Sequence, residues 1–492
     1  GKVAAIVGGN QYTTLQDAIN NAGEGATIEL IDNTTENITI DSDKDITIDL
    51  GKYTITNKDG HTITNSGTLT IKGDGTVDNV THRKAAIWNE GTMIIDGGNY
   101  TRSKEAGTYT PYTDNGNSYY VIENRGKMTI DDATVKADGG YSSLIENGWY
   151  NGKENIGKEN SVLIIEDGYF SGGLNTVKND EYGKLEINDG EFENVSQATV
   201  QNWNIATIND GDFDSDAPYC ILTGSYQNYD SKIDYVNGKT EINGGTFKSA
   251  DVCIAQYVDG DTNYSPTSIE INGGTFESDN GEVFDSNIKK NAEEKELTLS
   301  ITNGSFTSDV SDYLAKDSAF VKDEDGNYVV ADKDEIKDSK FYISDVDDLK
   351  EAIAAQADGV TWVFDNKTYE LDSTIKIKED ITIEGNGAVL SYISEINSPS
   401  DAKERCGIHI DSGANVEIND LTIDGKGNIK KHGINVYSYK DGGITSVEVN
   451  NVKIIDCEGY GIVNNVSDVT VTDIETSGNG WGGINVDNSA SS

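Results

Sequence analysis

The side chains with chemistry to offer are few and scattered. The chain has four histidines and two methionines, and four arginines, Arg83, Arg102, Arg125 and Arg405. Paired carboxylates could act as acid and base on a glycosidic bond, but Asp131–Asp132 lies inside a repeated phrase. His432, in KHGINV (431–436), stands alone beside a repeat glycine, and a site needs partners rather than one titratable group. No spacing sets an arginine opposite a carboxylate cluster. Carboxylates are plentiful, which leaves Ca2+ open as a ligand; no other cofactor is expected. None of the four cysteines forms a CxxC pair, which argues against zinc. Binding has more support. Trp149, Tyr150, Tyr226, Tyr229, Tyr235, Tyr257 and Tyr264 fall in insertions at 148–160, 224–238 and 257–267; a fourth insertion, 287–296, lacks rings. Exposed rings among amides and carboxylates suit neutral sugars. The plainer use of the same rings is to cover a flank.

The element that must position these residues is a repeat. MIIDGGNY (93–100) returns as LIIEDGYF (163–170), LEINDGEF (185–192), ATINDGDF (206–213), TEINGGTF (240–247), IEINGGTF (269–276) and LSITNGSF (299–306), with weaker copies at 69–77 and 128–135. Self-similarity at such spacings marks a solenoid. Alternation puts Ile71, Ile95, Ile130, Ile165, Ile187, Ile208, Ile242, Ile271 and Ile301 on one strand face. The Asp-Gly, Gly-Gly or Asn-Gly that follows turns the chain, and Tyr100, Phe170, Phe192, Phe213, Phe247, Phe276 and Phe306 then point inward again. Stacked about 4.8 Å apart, they would form internal columns.

A second column comes from ITN (63–65), IWN (87–89), IEN (122–124), IEN (145–147), VKN (177–179) and VQN (200–202). It places Asn65, Asn89, Asn124, Asn147, Asn179 and Asn202 at one point of successive rungs, a structural ladder of amides. PYCILTG and DVCIAQY continue the series, so Cys220 and Cys253 occupy equivalent positions on adjacent rungs. A disulfide and two stacked thiols are both compatible with that placement.

The rungs divide into two modules, 1–335 and 336–492. LQDAINNA (15–22) has helical spacing and would cap the first coil's open edge. DVDDLKEAIAAQADGVTWVFDNKTYELDSTIKIKEDITIEGNG (345–387) repeats that opening, and GIHI, GINV, GIVN and GINV (407–410, 433–436, 461–464, 483–486) supply the second coil's rungs. The composition agrees: 35% hydrophobic residues, 53 glycines and 4 prolines suit thin stripes buried rung on rung. A formal charge of −47 opposes binding to nucleic acid or anionic membranes, and no hydrophobic span suggests membrane insertion. Starting at Gly1 and stopping after a strand-like run, the chain reads as a segment of a longer protein.

The openings at 11–57 and 345–387 and the GI.I…V.I.N..I rungs of 407–486 resemble the pectate-lyase-like right-handed β-helix superfamily. The I(N/D)GG.F rungs are similar to repeat regions of large secreted or wall-attached proteins of gut-type Gram-positive bacteria. The resemblance implies an all-β right-handed parallel β-helix in two modules, each with a short N-terminal capping helix. It serves lyases, hydrolases and adhesins alike. The Gly-His-Gly set of its polygalacturonase-like members is absent. The expectation is therefore a non-catalytic, extracellular adhesin-like module, secreted or cell-wall attached, whose partner is a glycan or a host or bacterial surface protein. A carbohydrate-active enzyme, lyase or hydrolase, is the alternative, and it requires a carboxylate cluster beside Arg, Lys or His along one sheet.

Overall fold

The computed structural model describes residues 1–103, 118–149, 161–227, 235–259, 267–285, 298–396, 405–439 and 441–487, with backbone alone at 225–227, 235–236 and 257–259. Its contacts divide it into two units, Gly1–Tyr313 and Leu314–Ser492. The expected boundary at 335/336 thus falls inside the second unit. The hairpin Ser318–Lys322 and Tyr328–Asp332 groups with the second opening helix, because Lys322 Nζ bonds Asp348 Oδ1 at 2.6 Å and approaches Glu351 Oε1 at 3.5 Å.

The first unit is a parallel β-helix. Each turn visits three sheets in order. Thr92–Asp96 leads to Asn99–Thr101, then to Ile122–Asn124, and the next turn resumes at Lys127–Asp131. Like positions pair rung on rung: Ile95 with Ile71 and Ile130, Phe192 with Phe170 and Phe213, Asn124 with Asn89 and Asn147. For brevity these are the Ile, Phe and Asn sheets. The helix α1 (Leu15–Asn20) is started by Thr14, whose side chain accepts from the Asp17 amide at 3.1 Å as an N-cap. Its buried Leu15, Ala18 and Ile19 pack on the first strands.

Alternation fixes what is inside. The six phenylalanines Phe170, Phe192, Phe213, Phe247, Phe276 and Phe306 are buried, with centroids 4.7–4.9 Å apart and planes within 5–11°. The rung spacing, not the preference of free ring pairs for offset geometries, sets this face-to-face stack. It explains the obligatory glycine two residues earlier. Gly211 has φ +131°, and a Cβ there would lie 3.0 Å from the Phe213 ring and 3.2 Å from the Gly190 carbonyl. Only glycine tolerates that backbone so near a ring.

The internal amides form a continuous chain. Asn65 donates to Asn89, Asn89 to Asn124, Asn124 to Asn147, Asn147 to Asn179 and Asn179 to Asn202, all at 2.8–2.9 Å. Asn202 closes the series on the Thr240 hydroxyl at 2.9 Å, which meets Thr223 at 2.8 Å. A second, external ladder was not legible as such. Asn209 donates to Asn188, Asn243 to Asn209, Asn272 to Asn243 and Thr302 to Asn272 at 2.8–3.0 Å. These are the polar residues directly after the repeat isoleucines at four rungs and Ile301.

Cys220 and Cys253 are buried free thiols, flanked by the pairs Tyr219–Val252 and Ile221–Ile254. Each sulfur sits 3.0 Å from a carbonyl, of Lys248 and Glu277 respectively.

In the second unit α2 (Val346–Ala354) is capped by Asp345, which accepts from the Asp348 amide at 2.8 Å. Ile381–Tyr392, Asn415–Asp424, Ser446–Ile455 and Asp468–Ser477 stack in parallel, as do Ile375–Ile377, Ile408–Ile410, Ile434–Tyr437, Tyr460–Asn465 and Gly482–Asp487. The long strands bend at Asn386, Asp420, Asn451 and Asp473, with φ of +51° to +56°, a region Asn and Asp enter more readily than other side chains. The fold is the all-β parallel β-helix with capping helices that the repeats implied.

Candidate functional site

The inward face of the Asn sheet is the amide ladder, so the residue between each Ile/Val and its Asn faces outward. Along that outer row the chain places Thr64, Trp88, Glu123, Glu146, Lys178, Gln201 and Leu222, each opposite the next. Two carboxylates thus stand on adjacent parallel strands about 4.8 Å apart. Both side chains are 1% exposed.

Like charges directly opposite one another in a sheet are destabilising, and burial makes them more so. The surroundings answer in two ways. First, cations flank the pair. Arg125 Nε lies 3.4 Å from Glu123 Oε1, and Lys178, on the rung after Glu146, pairs with Asp180 at 3.0 Å. Secondly, both carboxyls are shifted toward the protonated form. Burial, then the neighbouring Glu146, pushes Glu123 well above the ordinary carboxyl range. Burial pushes Glu146 up to about 8 against the pull of Lys178. Among the described residues neither Glu146 oxygen has a hydrogen bond of good geometry, and the buried Tyr120 hydroxyl approaches it more loosely.

Arg125 is held flat by two indoles. Its guanidinium carbon lies 4.4 Å from the Trp88 ring centroid and 4.3 Å from that of Trp149, a doubled cation–π contact. His61 extends the stack, 4.6 Å from Trp88. Its Nδ1 accepts from the Ala85 amide at 2.9 Å, and burial together with the Lys84 charge holds the imidazole down to about 4, so it is neutral at physiological pH. Tyr119, 6.0 Å from His61 and 5.0 Å from Tyr120, closes the group. The terminal nitrogens of Arg125 meet no acceptor among the described residues, and its side chain is 23% exposed.

This arrangement corrects two expectations. An arginine does stand beside a carboxylate cluster, because a residue just past the ladder asparagine reaches back over the row. Trp149 is not a free platform: it is committed to Arg125. Tyr150, Tyr229 and Tyr264 lie outside the described residues, as do the side chains of Tyr226, Tyr235 and Tyr257. Asp131 and Asp132 are on the exposed side of the Ile sheet, apart from this site. In the second unit His432 stacks on Tyr460 with centroids 5.7 Å apart and accepts the Tyr460 amide at 3.1 Å, a packing role. Among the described residues no group of three or more His, Cys, Asp or Glu is placed to hold a metal ion, and no helix is long and apolar enough to cross a membrane.

Chemically, the site sets two buried carboxyl groups side by side, each held toward its protonated form by burial. Paired carboxyl groups are the inventory of general acid–base catalysis.

No family model matches the chain, and no curated protein does. Solved structures similar to it include a family 6 polysaccharide lyase, the alginate lyase AlyGC. That likeness has 11% identity over 93% of this chain and 79% of that one, with a TM-score of 0.25. An arginine-to-alanine mutant of the same enzyme gives 12% identity over 96% and 78%, also with a TM-score of 0.25. At those values neither likeness bears on chemistry. The chain is a parallel β-helix protein whose site must be read from its own residues.

Proposed function

We propose that the chain is a carbohydrate-active β-helical module of an extracellular bacterial protein, acting on a polysaccharide at the outer face of the Asn sheet. The observation that carries this reading is the buried Glu123–Glu146 pair under an arginine clamped by two indoles. A purely structural role would favour an apolar pair at those positions, because burying two carboxylates is costly. Glu123 and Glu146 act as the acid–base couple, Arg125 and Lys178 balance their charge, and Trp88 and Trp149 border the sugar. The second reading, a non-catalytic adhesin-like stalk, draws on the regularity of the internal columns, which suit long-range display.

The test is incubation of the protein with a panel of soluble polysaccharides, read as new reducing ends and as unsaturated product. Product should form on a subset, and Glu146→Gln and Glu123→Gln should each lower the rate by about 10²–10⁴-fold. A panel that binds without any product would remove the acid–base reading and leave the display one.

A further inference from the structure

We infer that the second unit carries a glycan-binding platform of its own, built on Trp481: a pyranose ring lies on the exposed indole while oxygen acceptors beside that ring bond to His432 and Lys431. This goes beyond the reading of the first unit's Asn sheet and does not depend on it.

The residues just before the glycine-led rungs of the second coil stack at one corner. Ile434 pairs with Ile462, and Tyr460 with Gly482, which sets His432 beside Tyr460 and puts Lys431, Gly459 and Trp481 in one column. The Gly459 amide donates to the Lys431 carbonyl at 2.7 Å, and the Trp481 amide to the Gly459 carbonyl at 3.1 Å. Gly459 contributes no side chain to that column, and a Cβ there would lie 2.6 Å from His432 Nδ1. The Trp481 indole therefore reaches across the intervening rung. Its centroid is 5.7 Å from that of His432 and 5.8 Å from that of Tyr460, edge to face with both. Lys431 Nζ stands 5.1 Å from the same ring, a cation–π contact. Three neighbours thus hold an indole that is still 55% exposed. A ring fixed in advance costs little entropy when a ligand covers it, and an open indole suits the apolar face of a sugar.

The rim supplies donors. His432 Nδ1 accepts the Tyr460 amide at 3.1 Å, and burial together with the Lys431 charge holds the imidazole down to about 4. The neutral ring therefore carries its proton on Nε2, which meets no acceptor among the described residues and reaches solvent. Lys431 Nζ has no carboxylate within ion-pair distance among the described residues, whereas its neighbour Lys430 is bound to Glu458 at 2.6 Å. Donors beside an open indole select a ligand with an apolar ring face and oxygen acceptors at its edge. A pyranose has both, whether the acceptors are hydroxyl oxygens or a carboxylate.

Affinity electrophoresis of the full chain in soluble β-glucan, xylan, galactomannan, alginate and polygalacturonate tests this. At least one polymer should retard the wild type, and Trp481→Ala should weaken that retardation roughly tenfold or more. Arg125→Ala, at the first unit's face, should leave the Trp481-dependent part in place. Salt separates the two kinds of acceptor: retention through hydroxyls persists in added salt, and retention through a carboxylate at Lys431 fades. Hydroxyl-radical footprinting of the wild type needs no variant, and the retarding polymer should shield Trp481 from oxidation. Retardation by none of the five polymers, equal retardation of wild type and Trp481→Ala, or an unshielded Trp481 overturns the inference. Because these assays read binding alone, the two ideas fail separately. A wild type that binds through Trp481 and releases no product sinks the acid–base reading of the first unit only; product without Trp481-dependent binding sinks the platform only.

Discussion

Raising the pH from about 6.5 to 8 lowers the stability of the first unit, and Glu146→Gln removes most of that decline. The sign comes from proton counting. The folded pair holds its protons up to about 8 at Glu146 and higher at Glu123, whereas an unfolded chain releases them near the ordinary value of 4.5. Across that interval the native state binds more protons than the unfolded state, so stability falls as pH rises. The contribution is fully present below about 4.5 and is lost as pH passes the folded values. Over the window named, the effect is on the order of a kcal/mol or more per retained proton. Below about 6.5, His61 contributes the opposite slope. Burial holds it down to about 4 in the native state, so acid stabilises the unfolded chain. The window above 6.5 is therefore the clean one. Urea midpoints of wild type and Glu146→Gln, tracked by the fluorescence of Trp88 and Trp149, would check this; equal pH slopes for the two proteins would mean the pair carries no extra proton.

Phe213→Ala should cost about 3–5 kcal/mol of stability. Phe213 is the third ring in a column of six, 4.7 Å from both Phe192 and Phe247, and it is 1% exposed. Its removal leaves a void between two rings that the rung spacing prevents from closing, because Glu191–Asn194, Asp212–Ser215 and Thr246–Ser249 are locked in register by their own ladder. Phe306→Ala, with a stacked phenylalanine on one side only among the column residues, should cost less. Chemical denaturation of both variants tests the ranking. An equal loss would mean that the stack is not what holds these turns.

The columns are legible because the same short phrase recurs, and only a coil in register makes such recurrence useful. Ile, Phe and Asn therefore announce three sheets before any geometry is known. The site is hidden in the same letters. IEN (122–124) and IEN (145–147) speak first for their outer members, the buried isoleucine and the laddered asparagine, and the middle glutamates pass as surface filler. Yet identical triplets on adjacent rungs force like charges face to face, and that conflict is visible in the sequence. Arg125 escapes notice for a different reason. Its partners, Trp88 and Trp149, are 37 and 24 residues away along the chain, a separation meaningful only once rungs are stacked. The aromatic insertions stand out by composition, which cannot say that Trp149 is spent on a guanidinium. The external amide ladder is masked because Asn-Asp-Gly and Asn-Gly-Gly read first as turns.

The external ladder carries a consequence for how such chains can change length. Asn188 and Asn209 are bonded across one turn and lie 21 residues apart, each directly after an isoleucine that pairs with the other's. Excising 188–208 would join Ile187 to Asn209 and restore the phrase Ile-Asn-Asp-Gly with every column still aligned. Excising a few residues more or fewer would rotate all later side chains out of place. Outside the corner insertions, whose lengths differ from turn to turn without disturbing the pairing of Ile187, Ile208, Ile242 and Ile271, gene segments encoding this coil are therefore free to expand or contract only by whole turns, so the number of rungs behaves as a counted quantity.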